Sequence, residues 1–183
     1  MLPAGCHLRL ANLADAGAIG ELIALSAREL SRDCYSQAQV EGALKGAFGV
    51  DTQLVRDGTF VVVECGGQLA GCGGWSRRRT LFGGDNEPSR DSGLLDPRVD
   101  AAKIRAFFVH PAFARQGIGT AILEYCENAA RMYGFTRFEL MATLPGRRLY
   151  EARGYVPAAP IQWGLGGGVS IEFVPMSKQA GAG

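Results

Sequence analysis

Two short stretches carry residue types at spacings that suit phosphate binding and proton transfer. In the first, an apolar run that ends at Val109 is followed by His110-Pro111 and then by a segment with glycines at 117 and 119. An amphipathic pattern comes next, so these glycines lie where a helix begins. The first turn of a helix has N–H groups without internal partners and the positive end of the macrodipole. The spacing therefore predicts an anion site, where a phosphate gains about 0.3–1 kcal/mol from the dipole.

The second stretch places Tyr150 on a short helical segment that stops at Gly154. A phenol has a pKa near 10, so it keeps its proton at neutral pH and can give that proton to a departing thiolate. Spacing alone supports a core aromatic residue equally well.

Both stretches resemble motifs of the Gcn5-related N-acetyltransferase (GNAT) superfamily. The segment from Val109 to Gly119 resembles its acetyl-CoA-binding signature, which reads Arg or Gln, two residues, Gly, one residue, then Gly or Ala. Ala114 stands where Arg or Gln is usual, which removes a side chain but keeps the backbone N–H groups. Leu149-Tyr150-Glu151 with Gly154-Tyr155 resembles the family's ending, an aromatic pair, a short gap and Gly-Phe or Gly-Tyr.

The resemblance implies an acyl-CoA N-acyltransferase fold, acetyl-CoA as cosubstrate and direct attack of a primary amine on the thioester. It makes Tyr150 the general acid and a backbone N–H near Phe108 the oxyanion donor. It also implies the contacts of acetyl-CoA. The pantetheine arm would lie along Phe107, Phe108 and Val109 and accept or donate a hydrogen bond at the Thr143 hydroxyl. The pyrophosphate would bind the N–H groups of Arg115, Gln116, Gly117, Ile118, Gly119 and Thr120.

The general base is not evident from the sequence. Lys103 and Arg105 stand where many members of the family carry a carboxylate, and Thr143 precedes the last helix where many have Asn. Glu139 is the nearest carboxylate in sequence. We expect deprotonation by water or by the acceptor's own equilibrium, with Glu139 as the alternative.

Composition limits the class of protein and its partners. The chain has 183 residues, a formal charge of +1, 47% hydrophobic and 20% charged residues. These values predict one soluble domain over about residues 1–178 and a disordered tail at 179–183. The charge gives no reason to expect nucleic acid or an anionic membrane, and no apolar run reaches the roughly 18 residues of a membrane span. We therefore expect a small-molecule or peptide amine as partner and a cytoplasmic location.

The cysteines and histidines point to neither a disulfide framework nor a metal. Five scattered cysteines without a C-x-x-C pair predict reduced thiols that mostly fill the core. With two histidines, His7 and His110, we expect no metal site.

Hydrophobic periodicity predicts an α/β fold with a central mixed, mostly antiparallel sheet flanked by helices. The predicted elements are a strand at residues 8–10, helices capped at Asn12 or Asp15 and at Ser36, a hairpin at Gly66-Gly67, a strand at 136–141 and last strands at 155–156 and 169–174. A glycine-rich connection at 164–168 is compatible with strand exchange in a homodimer.

Two segments have both a functional and a structural interpretation. Residues 77–101 form a long segment with little periodicity, which is either a lid over the acceptor site or a mobile insertion. Asp33, Cys34 and Tyr35 are either substrate contacts or part of a solvated loop.

Two other functions compete with acetyl transfer. A dinucleotide-binding domain would use Gly117-Ile118-Gly119 and an acid such as Glu139, but Ile122 replaces the third glycine. A non-catalytic acyl-CoA-binding or sensor module would explain Lys103 and Arg105, although Tyr150 argues against it.

Overall fold

The computed structural model describes residues 2–88 and 90–180. Within them, one mixed sheet has the order β1-β2-β3-β4-β5-β8-β6, with β7 also paired to β8. The strands are β1 (Cys6–Leu10), β2 (Phe60–Cys65), β3 (Gln68–Ser76), β4 (Ala102–Val109), β5 (Arg137–Thr143), β6 (Val156–Pro157), β7 (Ile161–Gly166) and β8 (Val169–Gln179). The helices are α1 (Ala16–Leu30), α2 (Gln37–Ala43), α3 (Thr52–Arg56), α4 (Ile118–Met132) and α5 (Arg147–Glu151), with single 3₁₀ turns at Leu13–Asp15 and Pro111–Phe113.

The predicted α/β fold with a mostly antiparallel sheet is confirmed. Among the described strand pairs, β4 and β5 alone run parallel. Side chains of β2 alternate between two hydrophobic clusters, Val61 and Val63 facing α4 and Phe60 and Val62 facing α1. Helices therefore cover both faces of the sheet.

Local sequence signals account for the helix starts. The Ser36 hydroxyl accepts from the Gln39 N–H at 3.2 Å, and the Gln39 amide oxygen accepts from the Ser36 N–H at 2.9 Å, which is the capping box that begins α2. Asn12 and Asp15 form the same device, but it begins the 3₁₀ turn that leads into α1.

Two glycines of β3 let α4 approach the sheet. A Cβ at Gly71 would lie 2.6 Å from Ile118 Cγ2, and one at Gly73 would lie 2.7 Å from Ile122 Cγ2. Real Cβ atoms do not come this close. The first turns of α4 can therefore pack here only because β3 has no side chains at positions 71 and 73. The N-terminus of α4 is thereby fixed against the middle of the sheet.

The cysteine prediction is wrong for one pair. Cys6 and Cys65 stand opposite each other in the antiparallel register of β1 and β2, with Cα atoms 4.1 Å apart, and they form a disulfide. Cys72 and Cys126 are free and buried, as expected of core thiols, and Cys34 is free and exposed. The sequence did not reveal the pair because 59 residues separate its members.

The C-terminal region is more ordered than the sequence predicts. Residues 161–166, part of which we expected to be a glycine-rich connection, form β7 against β8. Strand β8 continues to Gln179, which pairs with Arg137, and the Ala180 N–H donates to the Thr136 carbonyl. The predicted tail at 179–183 is therefore wrong for Gln179 and Ala180, and its other residues lie outside the described ranges.

Nothing in residues 2–88 and 90–180 forms a helix with the length and apolar character needed to cross a membrane.

We expect Gly73→Ala to lower the free energy of unfolding by about 1–3 kcal/mol, the usual cost of overpacking a core. The new Cβ would meet Ile122 and the ring of Phe107, 2.8 Å away. Gly17→Ala in α1 is the matched control, since no atom lies within 4 Å of its Cβ position, and it should raise stability by about 0.5–1 kcal/mol. Urea unfolding measures both, and equal midpoints for Gly73→Ala and wild type would contradict the packing argument.

Candidate active site

The segment before α4 is exposed at Arg115, Gln116 and Gly117. The His110 Nδ1 atom accepts from the Ala112 N–H at 3.1 Å and so caps the Pro111–Phe113 turn. Arg115 and Gly117 then adopt left-handed conformations, with φ of 65° and 85°. Gly117 is the N-cap of α4 and has no side chain that could cover the first turn. Exposed N–H groups in such a turn, at the positive end of a helix, form an anion-binding concavity.

A gap opens beside this segment because β4 leaves β5. The two strands pair at only three positions, from Ala102 with Phe138 to Ile104 with Leu140. Ala106 has a φ of 57°, and the register of β4 against β3 shifts at this point, which marks a β-bulge. Beyond the bulge β4 follows β3, whereas β5 follows β8 as far as Thr143.

The gap is a cleft that is partly open to solvent, which we call the β4–β5 cleft. It is lined by Ala47, Phe48, Gly49, Leu81, Phe82, Gly83, Ile104, Arg105, Ala106, Phe107, Phe108, Met141, Thr143, Tyr150 and Phe173. Four residues proposed from the sequence, Phe107, Phe108, Thr143 and Tyr150, thus come together around one cavity. Val109 lies outside this lining and packs with the core on the α4 face.

Tyr150 lies in α5 with 7% of its surface exposed. Its ring is edge-on to Phe107 and Tyr155, with centroids 6.1 and 5.8 Å away. Burial in these apolar surroundings raises the pKa of the Tyr150 phenol above its usual value, and the neighbouring Cys126 acts in the same direction. The hydroxyl group therefore holds its proton across the physiological pH range.

The first turn of α4 lies close to the helix that carries Tyr150. A Cβ at Gly119 would come within 3.0 Å of Leu149 Cδ2, the residue before Tyr150. The Thr143 Oγ1 atom accepts from the Gly146 N–H at 3.3 Å and shapes the turn that leads into α5. The structure therefore brings the glycine segment, β4 and α5 to the same end of the sheet.

Glu139 is placed away from this cleft. Its Oε2 atom lies 2.5 Å from the Lys103 Nζ atom, and both side chains line a separate polar groove with Arg137 and Lys178. The ion pair neutralises Lys103 and gives no support to Glu139 as a base for the cleft.

Arg105 holds a wall of the cleft through a buried ion pair that the sequence did not reveal. Its side chain is 3% exposed, its Nη1 atom lies 2.7 Å from Asp51 Oδ2, and its Nη2 atom donates to the Gly83 carbonyl at 2.7 Å. Asp51 also accepts from Arg90, which in turn binds Asp85. We call these four charged residues the Arg105–Asp51 cluster. Burial lowers the pKa of Arg105 to about 10 and Asp51 opposes this shift, so Arg105 stays charged at neutral pH.

The segment at 77–101 is anchored in its described part. Arg78 pairs with Asp57 through two hydrogen bonds of 2.6 and 2.8 Å, and Leu94 forms an isolated bridge to Arg78. Residues 81–83 line the cleft, so this part of the segment forms one of its walls.

The Tyr35 hydroxyl group joins two elements outside the cleft lining. Its hydroxyl donates to the Glu172 carbonyl at 2.6 Å and accepts from the Leu144 N–H at 2.9 Å, which ties β8 to the turn before α5. Tyr35 is buried, whereas Asp33 and Cys34 are exposed. Tyr35 therefore links β8 to the turn before α5, and it does not line the cleft.

Comparison with known proteins identifies the family of this chain. The model of the acetyltransferase (GNAT) family matches residues 24–155, which include α4, the bulged strand and Tyr150. The chain belongs to this family. The resemblance seen in the sequence is thus confirmed, and the GNAT match makes the protein an N-acetyltransferase by family. No curated protein matches the chain significantly.

Solved acetyltransferase structures share the fold at low sequence identity. A GCN5-related N-acetyltransferase from Rhodopseudomonas palustris is 19% identical, with a TM-score of 0.71 and 98% of each chain covered. The PaiA N-acetyltransferase from Thermoplasma acidophilum, in complex with coenzyme A, is 12% identical, with a TM-score of 0.65 and 95% of this chain and 98% of that chain covered. YncA from Salmonella typhimurium, with its cofactor acetyl-CoA, is 18% identical, with a TM-score of 0.63 and 96% and 94% covered.

We expect Asp51→Asn to lower the free energy of unfolding by about 3–5 kcal/mol, because it leaves the buried Arg105 charge without its partner. Asn can still cap α3, where Asp51 accepts from the Gln53 and Leu54 N–H groups, so the change isolates the charge. Glu41→Gln, which removes the exposed pair with Arg28, is the control and should change stability little. Urea unfolding of both variants tests this, and a loss no larger than that of the control would show that the ion pair is not needed.

Proposed function

We propose that this GNAT protein transfers the acetyl group of acetyl-CoA to a primary amine by direct attack on the thioester, with Tyr150 as the general acid. The observation that carries the proposal is a buried Tyr150 on the wall of a cleft that lies near the glycine-bearing N-terminus of α4. The solved relatives that contain coenzyme A or acetyl-CoA support the choice of cosubstrate.

The backbone fits the phosphate end of acetyl-CoA. Gly117 adopts a left-handed conformation and a Cβ at Gly119 would crowd Leu149, so neither position tolerates a side chain easily. We assign the pyrophosphate to the N–H groups of Arg115, Gln116, Gly117, Ile118, Gly119 and Thr120, and the pantetheine arm to Phe107, Phe108, Val109 and Thr143. N–H donors suit this role because they are rigid and do not titrate.

The strand direction supports a choice of N–H groups for the oxyanion. The His110 N–H donates to the Ala70 carbonyl on β3. Because N–H groups alternate along a strand, those of Phe107 and Val109 point to the opposite edge, toward the gap left by β5. The N–H group of Phe107 or Val109 is therefore a better oxyanion donor than the N–H group of Phe108. Such a donor contributes roughly a hundredfold or more in rate.

The proposed acetyl transfer needs few protein groups to account for its bonds and protons. The uncharged amine nitrogen forms a bond to the acetyl carbon, the carbon–sulfur bond breaks, and its electron pair leaves on sulfur. The sulfur takes the Tyr150 phenol proton, the new amide nitrogen loses one proton to water, and Tyr150 recovers its proton from solvent. The products are the N-acetyl amine and free coenzyme A.

We expect Tyr150→Phe to reduce turnover by about a hundredfold or more, since general acid catalysis contributes 10²–10⁴-fold. Thiol release from acetyl-CoA with a mixed panel of amines measures this and reveals the acceptor class. Tyr133→Phe is the control, because Tyr133 follows the far end of α4 and is 54% exposed. Since the Tyr150 pKa is raised, wild-type kcat should not fall between pH 7 and about 9, below the usual phenol pKa.

Equal loss in the two variants would remove Tyr150 from the mechanism. Tight binding of acetyl-CoA without turnover on any amine would favour the non-catalytic acyl-CoA-binding module instead. A homodimer, with which the glycine-rich connection is compatible, and the cytoplasmic location stay predictions.

A further inference from the structure

One side of the β4–β5 cleft is built from aromatic rings that form a continuous series of contacts. Phe108 meets Phe48 at 5.6 Å, Phe48 meets Phe173 at 6.0 Å, and Phe173 meets Phe82 at 5.5 Å between centroids. Phe82 also packs edge-on to Trp163 at 4.7 Å. These five rings, which we call the aromatic wall, come from two loops and from β4, β7 and β8, and all except Trp163 line the cleft.

The rest of that side is also apolar. Ala47, Leu81 and Met141 complete it, while Thr143 and Tyr150 lie among the groups already assigned to acetyl-CoA and catalysis. An acceptor that fills this space replaces water with apolar contacts, which contribute roughly 25 cal/mol per Å² of buried surface. Edge and stacked ring contacts add about 0.5–1.5 kcal/mol each.

The charges around the cleft do not favour an ammonium ion. Of the described residues that line the cleft, Arg105 alone is charged, and its sign is positive. Two carboxylates beside it, Asp51 and Asp85, are engaged by Arg105 and Arg90, so the Arg105–Asp51 cluster contains two cations and two anions. The Glu87 side chain lies against Gly83 but is not part of the cleft lining. An ammonium group that entered would lose its water with no anionic side chain in the described lining to pair with, which costs several kcal/mol.

We infer that the acceptor is an aromatic amine whose amino group is uncharged at neutral pH, with its ring on the aromatic wall. This inference rests on the proposed acetyl transfer and specifies its substrate class. A weakly basic amine needs no carboxylate to remove a proton before attack, which agrees with a cleft lining that has Arg105 where a base would be expected. The reaction converts the aryl amine and acetyl-CoA into the N-aryl acetamide and coenzyme A.

The test uses the wild-type protein with three acceptors, 4-methylaniline, benzylamine and 1,4-diaminobutane. It measures kcat/KM for thiol release with each amine and the mass of each product. At pH 7 we expect 4-methylaniline to exceed the other two by at least about tenfold. Benzylamine should gain about tenfold per pH unit as its ammonium form deprotonates, while 4-methylaniline should not change. A higher kcat/KM for 1,4-diaminobutane at pH 7, as a cation-binding ring cage would give, overturns the inference and leaves acetyl transfer intact.

A matched pair of variants tests the charge argument separately. Met141→Glu places a carboxylate in the cleft and should shift the ratio of benzylamine to 4-methylaniline upward by about tenfold, whereas Met141→Gln should leave the ratio near that of wild type. Equal ratios in the two variants would contradict the inference. If no amine supports turnover although acetyl-CoA binds, the proposed function fails and the acceptor class fails with it.

Discussion

The functional architecture depends on the loss of pairing between β4 and β5. Backbone N–H and C=O groups in a sheet normally find partners on the next strand, yet these two strands pair only from Ala102 to Ile104 on the β4 side. The bulge at Ala106 turns β4 away, and the strand edge beyond it faces a cavity. A ligand with amide groups of its own can pair with such an edge, as the pantetheine arm would. The cleft, the orientation of Phe107 and the access to Tyr150 all follow from this separation.

Two packing features keep the cleft in place. Gly71 and Gly73 allow α4 to lie against β3, so the helix terminus reaches the end of the bulged strand. On the other face, Arg105 and Asp51 join β4 to the loop around Gly83. A buried ion pair is not by itself a large source of stability, because desolvation offsets most of the attraction. Its effect here is to fix which loop forms the wall of the cleft.

Local signals in the sequence predicted the parts of the site that are contiguous in the chain. The glycine segment before α4, the Ser36 cap and the Gly66-Gly67 hairpin, with φ of 58° and 82°, each depend on a few neighbouring residues. Tyr150 was found through a motif, and its burial agrees with an acid that keeps its proton.

The remaining features depend on residues far apart in sequence. Cys6 meets Cys65 only through the β1–β2 register, and 54 positions separate Arg105 from Asp51. The rings of the aromatic wall come together from two loops and three strands, so no spacing in the sequence indicates them. Strand β7 was missed because its glycines are typical of a connection, although pairing with β8 holds it extended.

The most direct test of the account is a titration with coenzyme A followed by amide ¹H–¹⁵N chemical shifts. We expect the largest changes at residues 115–120 and 107–109, because the N–H groups there would bind the pyrophosphate and face the pantetheine arm. Changes confined to the polar groove at residues 99–103 and 177–179, with the α4 terminus unaffected, would contradict the account.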